Sequence, residues 1–236
     1  MLAIQPLAAQ FAHTSHDARR GAMGGVFLPD TTRRFELAYR QDFLLASMAD
    51  KLASVVMPVG RLGTAFGSYN HHGDLAYREQ QASLAYMMQL SGWLHFGVLG
   101  RWMSIGVDDT WYDTQQWLGA DAMVWANIGK SEILLTAGTR PFDNRHPWRG
   151  MAQVVWHPTS DWITALAIES DDRLRLRCGM EYSYERQLFV RAGMATTPMV
   201  ITFGVGTRYG VIKMDIGAEM HSTLGISPCI SMAMCF

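Results

Sequence analysis

The sequence has few charged residues, and that scarcity excludes several classes of protein. Only 17% of its 236 residues are charged, whereas typical soluble chains carry about 25%. The hydrophobic content of 49% excludes intrinsic disorder. A net charge of −1 provides no basic field, so we expect no nucleic-acid partner.

Long hydrophobic runs and paired cysteines are also lacking. The longest charge-free stretch that begins inside the chain, residues 80–100, is interrupted by Gln, Ser, Gly and His. It therefore falls short of the roughly 20 mostly apolar residues of a membrane-spanning helix. Two of the three cysteines, Cys229 and Cys235, would lie about 20 Å apart along one strand, far beyond disulfide reach. These absences leave a compact soluble β protein or a transmembrane β-barrel.

Lysine is scarce as well. The chain has 20 cationic residues, and only Lys51, Lys130 and Lys213 are lysines. Arginine suits crowded, partly desolvated ion pairs because its planar fork is weakly hydrated and can hold two carboxylate oxygens. The bias indicates that many of the charges lie in an enclosure.

What the sequence does contain is alternation with a period of two, which marks β-strands with two different faces. In RLRLRCGMEYSYERQ (residues 173–187) every charge in the alternating part falls on one face, and IKMDIGAEMH (residues 212–221) repeats the arrangement. With lipid outside, the charged face would line the interior of a barrel. The predicted lumen-lining residues are Asp121, Arg173, Arg175, Arg177, Glu181, Glu185, Arg191, Lys213, Asp215 and Glu219.

Regularly spaced turn residues divide the chain into an up-and-down antiparallel meander. At about 10 residues per tilted membrane strand, the 202 residues from 35 to 236 accommodate about 14 strands, with 10–12 as the alternative. The longest predicted connection is residues 141–150. Residues 1–9 are apolar and end in small residues, as in the remnant of a signal peptide. Residues 10–34 are then a periplasmic or plug segment, and residues 35–236 the barrel.

Alternation alone does not say which face points outward, and a soluble β-barrel with an apolar interior is the competing architecture. The meander is too long for a small soluble barrel. Aromatic residues gather near turns, as in the interfacial girdles of membrane barrels; they are Trp93, Trp111, Trp148, Trp156, Trp162, Tyr112 and Tyr209. The end of the chain resembles the signal that outer-membrane barrels present to their insertion machinery. Its residues are Ile230, Met232, Met234 and Phe236.

Two further segments carry a family resemblance. Residues 17–30, DARRGAMGGVFLPD, resemble the N-terminal stretch of the FadL/PorV/PorQ-like outer-membrane barrels, in which an Arg and small residues lead into an Ala-x-Gly-Gly turn. Residues 204–220 and the terminal Phe236 are similar to the closing strands of that family. The Asn-Pro-Ala segment that commonly follows the turn is absent here. The resemblance implies a barrel of about 14 strands, as in the family, whose N-terminal segment can tuck into the lumen.

The predicted interior is either a polar path for a ligand or an ion-paired structural filling. Gly63, Gly67, Gly204 and Gly206 would allow a plug segment to approach the wall closely. Histidines at positions 13, 16, 71, 72 and 146 are expected to be solvated, because no third fixed ligand accompanies them. No Ser-His-Asp arrangement can be assembled from the spacing. We therefore expect no metal, no cofactor and no enzymatic activity.

The family resemblance implies two roles, and both are kept as hypotheses. The first is an accessory or scaffold subunit of an envelope secretion or assembly complex, similar to PorV. The alternative is a FadL-like uptake channel for small hydrophobic molecules, and a soluble β-barrel binding protein is the remaining hypothesis. The expected location is the bacterial outer membrane. The expected partners are its lipid, other envelope proteins and the barrel-insertion machinery.

Overall fold

The computed structural model describes residues 17–28, 31–60, 63–108, 113–141, 147–170 and 173–236. Fourteen strands form one closed antiparallel sheet, in which each strand pairs with its neighbours in sequence and the first pairs with the last. In the described part of the chain, one short helix, α1 (Ala18–Ala22), precedes them. The strands are β1 (Arg34–Gln41), β2 (Ala49–Pro58), β3 (Thr64–Gly73), β4 (Tyr77–Gln89), β5 (Leu94–Val107), β6 (Gln115–Ile128), β7 (Ser131–Thr139), β8 (Trp148–Thr159), β9 (Trp162–Ser170), β10 (Leu174–Tyr184), β11 (Leu188–Ala195), β12 (Val200–Tyr209), β13 (Ile212–His221) and β14 (Gly225–Cys235).

The barrel closes through a long register between its first and last strands. Arg34 pairs with Cys235 at one end of the seam and Arg40 pairs with Cys229 at the other. Both ends of the barrel sequence therefore lie at the same rim, which we call the terminal end; the opposite rim is the distal end. The prediction of about 14 strands is confirmed, and the alternative of 10–12 is wrong.

The connections differ between the two rims. Those at the terminal end have two to five residues, and those at the distal end have three to eight. Gly129 and Gly210 each begin a two-residue connection with a positive φ, of 62° and 58°, as tight hairpin turns require. Two 3₁₀ turns, Asp42–Leu44 and Ala46–Met48, shape the distal connection between β1 and β2.

The exterior of the cylinder is apolar. Side chains at alternate positions of every strand point outward, and large hydrophobic residues among them are strongly exposed, such as Leu84 at 72% and Leu118 at 76%. The opposite face of the same strands carries the buried arginines, aspartates and glutamates. A soluble barrel has the reverse arrangement, so the soluble alternative is wrong for this fold. Among the described residues, no helix is long and apolar enough to cross a membrane.

Candidate functional site: a lumen filled on one side

The N-terminal segment, residues 17–28, lies inside the barrel. Asp17 caps helix α1, because its Oδ1 accepts a hydrogen bond from the backbone N–H of Arg20 at 2.7 Å. The helix contacts strands β11 to β14. We call residues 17–28 the plug.

Glycines on the barrel wall allow the plug to pack directly against the sheet. A Cβ atom added to Gly179 would come within 2.3 Å of the Met23 carbonyl oxygen, and one added to Gly193 within 2.5 Å of the Gly24 nitrogen. At Gly204 the same addition would meet the Ala22 Cβ at 2.6 Å. Any side chain at these positions would displace the plug, so the wall and the plug fit each other only because these residues are glycines.

Side chains from the wall also satisfy the backbone of the plug. The Thr202 hydroxyl donates to the Ala22 carbonyl at 2.8 Å and accepts from the Gly24 N–H at 3.0 Å. The Gln153 amide, which is 1% exposed, binds both the N–H and the carbonyl of Phe27. The plug therefore forms hydrogen bonds much as an additional piece of secondary structure would.

The centre of the plug completes a small apolar core. Met23 and Val26 are fully buried against side chains of β8 and β9, and partly buried residues surround them. The wall residues in this cluster are Val155, Ala165 and Ala167, with Leu28, Met151 and Ile163 at its edge. Burial of this apolar surface favours the docked position of the plug.

On the terminal side of the plug, one arginine links two acids. The Arg191 side chain is completely buried, with Nε 2.5 Å from Glu181 Oε2 and Nη1 2.6 Å from Asp215 Oδ1. Arg19 from the plug donates two hydrogen bonds to Glu181, at 2.6 and 2.8 Å, and Lys213 lies 3.6 Å from Asp215. The plug is thus tied into a network of ion pairs that begins on the wall.

On the distal side of the plug a second group of charges continues the filling. Arg177 donates two hydrogen bonds to Glu169, at 2.8 and 3.0 Å, and a third to the Gly24 carbonyl at 3.2 Å. Arg175 lies 3.7 Å from Glu169. Burial, with nearby Arg177, lowers the pKa of the Arg20 guanidinium to about 10, so Arg20 stays charged at neutral pH.

The other side of the lumen is open. A cavity of about 320 Å³ lies between the plug and strands β2 to β7, within the usual range of about 300–1,000 Å³ for ligand pockets. Toward the terminal end the wall formed by β2 to β7 is mainly apolar, with Val56, Phe66, Ala85, Met87, Met123 and Leu134, whereas Arg34, Glu36 and Lys213 on β1 and β13 bring charge to the same cavity. Toward the distal end the wall carries Ser68, Asn70, Gln81 and Ser83.

Asp121, one of the acids that line this cavity, is paired through both of its carboxylate oxygens. Asp121 Oδ1 accepts from Arg101 at 2.9 Å, and Asp121 Oδ2 accepts from Arg149 at 2.8 Å. Two guanidinium groups thus pair with one carboxylate, so negative charge does not accumulate in the cavity beside Asp121.

The structure places eight of the ten predicted lumen residues on the inward face, where all eight form ion pairs. They are Asp121, Arg175, Arg177, Glu181, Arg191, Lys213, Asp215 and Glu219. The prediction is wrong for the other two. Arg173 precedes β10 and is exposed, and Glu185 lies in the turn after β10 with φ of 51°. The alternating pattern of the sequence continues past both ends of β10, whereas the barrel wall ends with the strand.

The structure agrees with some of the other predicted features and differs from the rest. Of the four glycines proposed to admit a plug, only Gly204 contacts it, since Gly63, Gly67 and Gly206 face neighbouring strand residues. Ile230, Met232 and Met234 point outward on β14, and exposed Phe236 follows the strand. His71 and His72, expected to be solvated, lie within β3, where His72 Nδ1 is 2.9 Å from Asp50 Oδ1.

The interfacial aromatic residues that can be placed lie near the rims. Trp93, Trp156, Trp162 and Tyr209 are exposed at the terminal end, and Trp148 at the distal end. Several predictions concern residues outside the described ranges, so their structure is not compared. These are the signal-peptide remnant, His13, His16, Trp111, Tyr112 and His146.

Sequence reasoning missed the cavity. Its wall is built from small polar and apolar residues that alternate along β3 and β4 with outward-facing ones, for example Ser68 beside exposed Tyr69. Period-two alternation of uncharged residues was the available signal. This signal is weaker than the pattern of the charged strands.

These features define a class: a closed 14-stranded antiparallel barrel of the outer-membrane type, with an apolar exterior and an N-terminal plug docked against one side of a charged lumen. No protein-family model and no curated protein sequence matches the chain.

Solved structures do match its fold. The toluene transporter TbuX of Ralstonia pickettii superposes with a TM-score of 0.72 at 10% identity, over 96% of this chain and 100% of the other. The toluene transporter TodX of Pseudomonas putida gives a TM-score of 0.70 at 11% identity, over 94% and 98%. The monoaromatic hydrocarbon channel CymD gives 0.65 at 9% identity, over 93% and 97%. The chain therefore has the fold of these barrels.

Proposed function

We propose that the chain is a non-enzymatic channel of the bacterial outer membrane that takes up small hydrophobic molecules by passive diffusion. One observation carries the proposal: the plug fills only one side of the lumen and leaves a cavity whose wall along β2 to β7 is mainly apolar toward the terminal end. Proteins of similar fold are described as toluene transporters and a monoaromatic hydrocarbon channel, which supports the same class of substrate.

The two ends of the lumen suggest a direction of passage. With the terminal end at the periplasm, the longer distal connections face the outside. A molecule entering from the distal rim first meets Ser68, Asn70, Gln81 and Ser83, and then the apolar section that includes Phe66 and Met87. Transfer from a hydrated to an apolar surface is favourable for a hydrophobic solute, by about 25 cal/mol per Å² of buried apolar area. The cavity thus favours partition of such a solute into the barrel.

An uptake measurement in cells tests the proposal. Gram-negative cells that express the chain are incubated with radiolabelled toluene, and cells with an empty vector serve as the control. The expected result is uptake several-fold faster than in the control, with unchanged permeability to a large hydrophilic dye. Equal uptake by both strains, with the barrel correctly assembled in the outer membrane, would overturn the proposal.

The observations favour the channel over the accessory subunit, because an accessory role has no need of a cavity with a graded wall. An envelope protein partner remains a prediction, as does recognition of Ile230, Met232, Met234 and Phe236 by the insertion machinery. Purification from native membranes in mild detergent checks the first, since a stoichiometric protein partner would support the accessory role.

A further inference from the structure

Three side chains that are far apart in sequence meet at the distal end of the lumen. Asp42 follows β1 at the start of the first 3₁₀ turn, Asp50 lies on β2, and His72 is the cross-strand partner of Asp50 on β3. Each offers one nitrogen or oxygen atom, and these three atoms lie within 4.8 Å of one another. The arrangement brings a nitrogen donor and two carboxylates from the β1–β2 connection, β2 and β3 to one point.

Both carboxylates have a buried oxygen that forms no hydrogen bond. Asp42 and Asp50 are each 2% exposed. Asp42 Oδ1 accepts from Arg40 at 2.7 Å and Asp50 Oδ1 contacts His72, but neither Oδ2 atom has a hydrogen-bond partner. A carboxylate oxygen buried without a donor is costly, and native proteins rarely tolerate one without an ion or water beside it. Asp50 Oδ2 lies 3.6 Å from Arg40 Nε without a hydrogen bond, and the buried Oδ2 of Asp42 points to a further positively charged ligand.

The local charge balance points the same way. Arg40 is the guanidinium shared by three carboxylates, at 2.7 Å from Asp42, 3.6 Å from Asp50 and 3.4 Å from Glu219. Among these contacts, one guanidinium faces three carboxylates. Glu79, the cross-strand partner of His72 on β4, adds a further acid nearby. A divalent cation would balance the cluster.

We propose that Asp42, Asp50 and His72 bind one divalent transition-metal ion such as Zn²⁺. An imidazole nitrogen and carboxylate oxygens are ligands typical of first-row divalent metals, whereas Ca²⁺ and Mg²⁺ prefer oxygen alone. His72 Nδ1 and Asp50 Oδ1 are 2.9 Å apart, and a separation wider by about 0.5 Å would place both about 2.1 Å from one tetrahedral ion. The bound metal replaces the proton that these two atoms would otherwise share.

The ion would fix the distal mouth of the barrel. Residues 42–48 connect β1 to β2, and their first turn also reaches across the seam, where the Phe43 N–H donates to the Ser227 hydroxyl at 3.0 Å. Metal bonds from Asp42 to Asp50 and His72 tie this connection to β2 and β3 as well. The site therefore acts as a staple that holds residues 42–48 at the rim above the cavity.

Calorimetric titration of the purified barrel tests the site directly. The tag-free protein, treated with a chelator and dialysed in detergent, is titrated with Zn²⁺ alone. We expect one ion to bind per chain. His72→Gln and Asp50→Asn should weaken binding at least about 10-fold, the lower bound seen even for residues that only support metal ligands. His71→Gln is the matched control and should bind as the wild type does, since His71 lies on the other face of β3.

The titrations can overturn the proposed metal site in three ways. No binding of Zn²⁺ by the wild type, equal loss in His71→Gln and His72→Gln, or full competition by Ca²⁺ would overturn the assignment. If either ligand variant fails the heat-modifiable mobility shift of an assembled barrel, X-ray absorption at the zinc edge of the wild-type protein replaces it. One imidazole with carboxylate oxygens in the first shell supports the site, and a shell of several histidines or of water alone contradicts it.

Discussion

The two halves of this barrel share one exterior and differ inside. Along β8 to β14 the inner wall has glycines and alanines where the plug docks, and its arginines and acids are joined in networks. Along β1 to β7 a cavity of about 320 Å³ remains between the plug and the wall. The difference shows that the plug is positioned by the wall it fits rather than centred in the lumen. The space left on the other side provides the proposed path.

The ion pairs give the largest expected difference between the halves. Arg191→Leu removes the one guanidinium that serves both Glu181 and Asp215. We expect the free energy of unfolding to fall by about 3 kcal/mol, which is the low end for a broken buried ion pair. The loss is not larger because Arg19 and Lys213 still contact the two acids. Unfolding by guanidinium chloride in lipid vesicles measures the change in the free energy of unfolding.

Arg149→Leu is the matched variant in the open half. Asp121 keeps Arg101 at 2.9 Å, and Arg149 is 28% exposed, so the expected loss is below about 1 kcal/mol. Equal losses of stability in the two variants would mean that the shared arginine contributes nothing extra to the half of the barrel formed by β8 to β14.

The outer surface should show no such difference. Met180→Arg in the packed half and Leu84→Arg in the open half both place a charge near the middle of the apolar band, and each should cost about 2–4 kcal/mol. Unfolding in vesicles of one lipid composition compares them. A cost in only one half would show that the asymmetry extends to the lipid-facing surface.

A side chain added beneath the plug should release it. Gly179→Val places a Cβ atom against the Met23 carbonyl, and overpacking of this kind costs about 1–3 kcal/mol. We expect the plug to shift and the single-channel conductance in planar bilayers to rise. Ser83→Val, on the cavity side, serves as the control and should leave the plug in place. Unchanged conductance in Gly179→Val would argue against a docked plug.

A smaller effect is expected at the last hydrogen-bonded contact of the plug. Gln153→Ala removes the amide that binds both backbone groups of Phe27, at a cost of about 1–2 kcal/mol. Hydrogen exchange should accelerate at residues 26–28 and stay unchanged on β4. Uniform acceleration over the whole barrel would instead indicate global destabilisation.

The face of each charged strand could be predicted from the sequence, because alternation directly reports which side chains share an environment. On β10, Leu176 and Met180 lie outside while Arg177 and Glu181 lie inside, as the pattern predicts. The ends of the strand could not be predicted in the same way. Glu185 continues the alternation but sits in a turn, since turn geometry and not side-chain polarity ends the strand.

The site was harder to predict because it depends on contacts between distant segments. The resemblance of residues 17–30 to known barrels implied a plug, but its docking side is set by Gly179, Gly193 and Gly204 on three separate strands. Asp42, Asp50 and His72 likewise meet only through strand register. Sequence spacing carries no record of such pairings.

Blocking the cavity tests the central claim most directly. Ala85→Trp fills the open half of the lumen, whereas Leu84→Trp adds the same side chain one residue away on the lipid-facing side. Toluene uptake by cells that express equal amounts of the two assembled barrels should fall several-fold for Ala85→Trp and stay at the wild-type rate for Leu84→Trp. Uptake at the wild-type rate in both variants would contradict passage through this cavity.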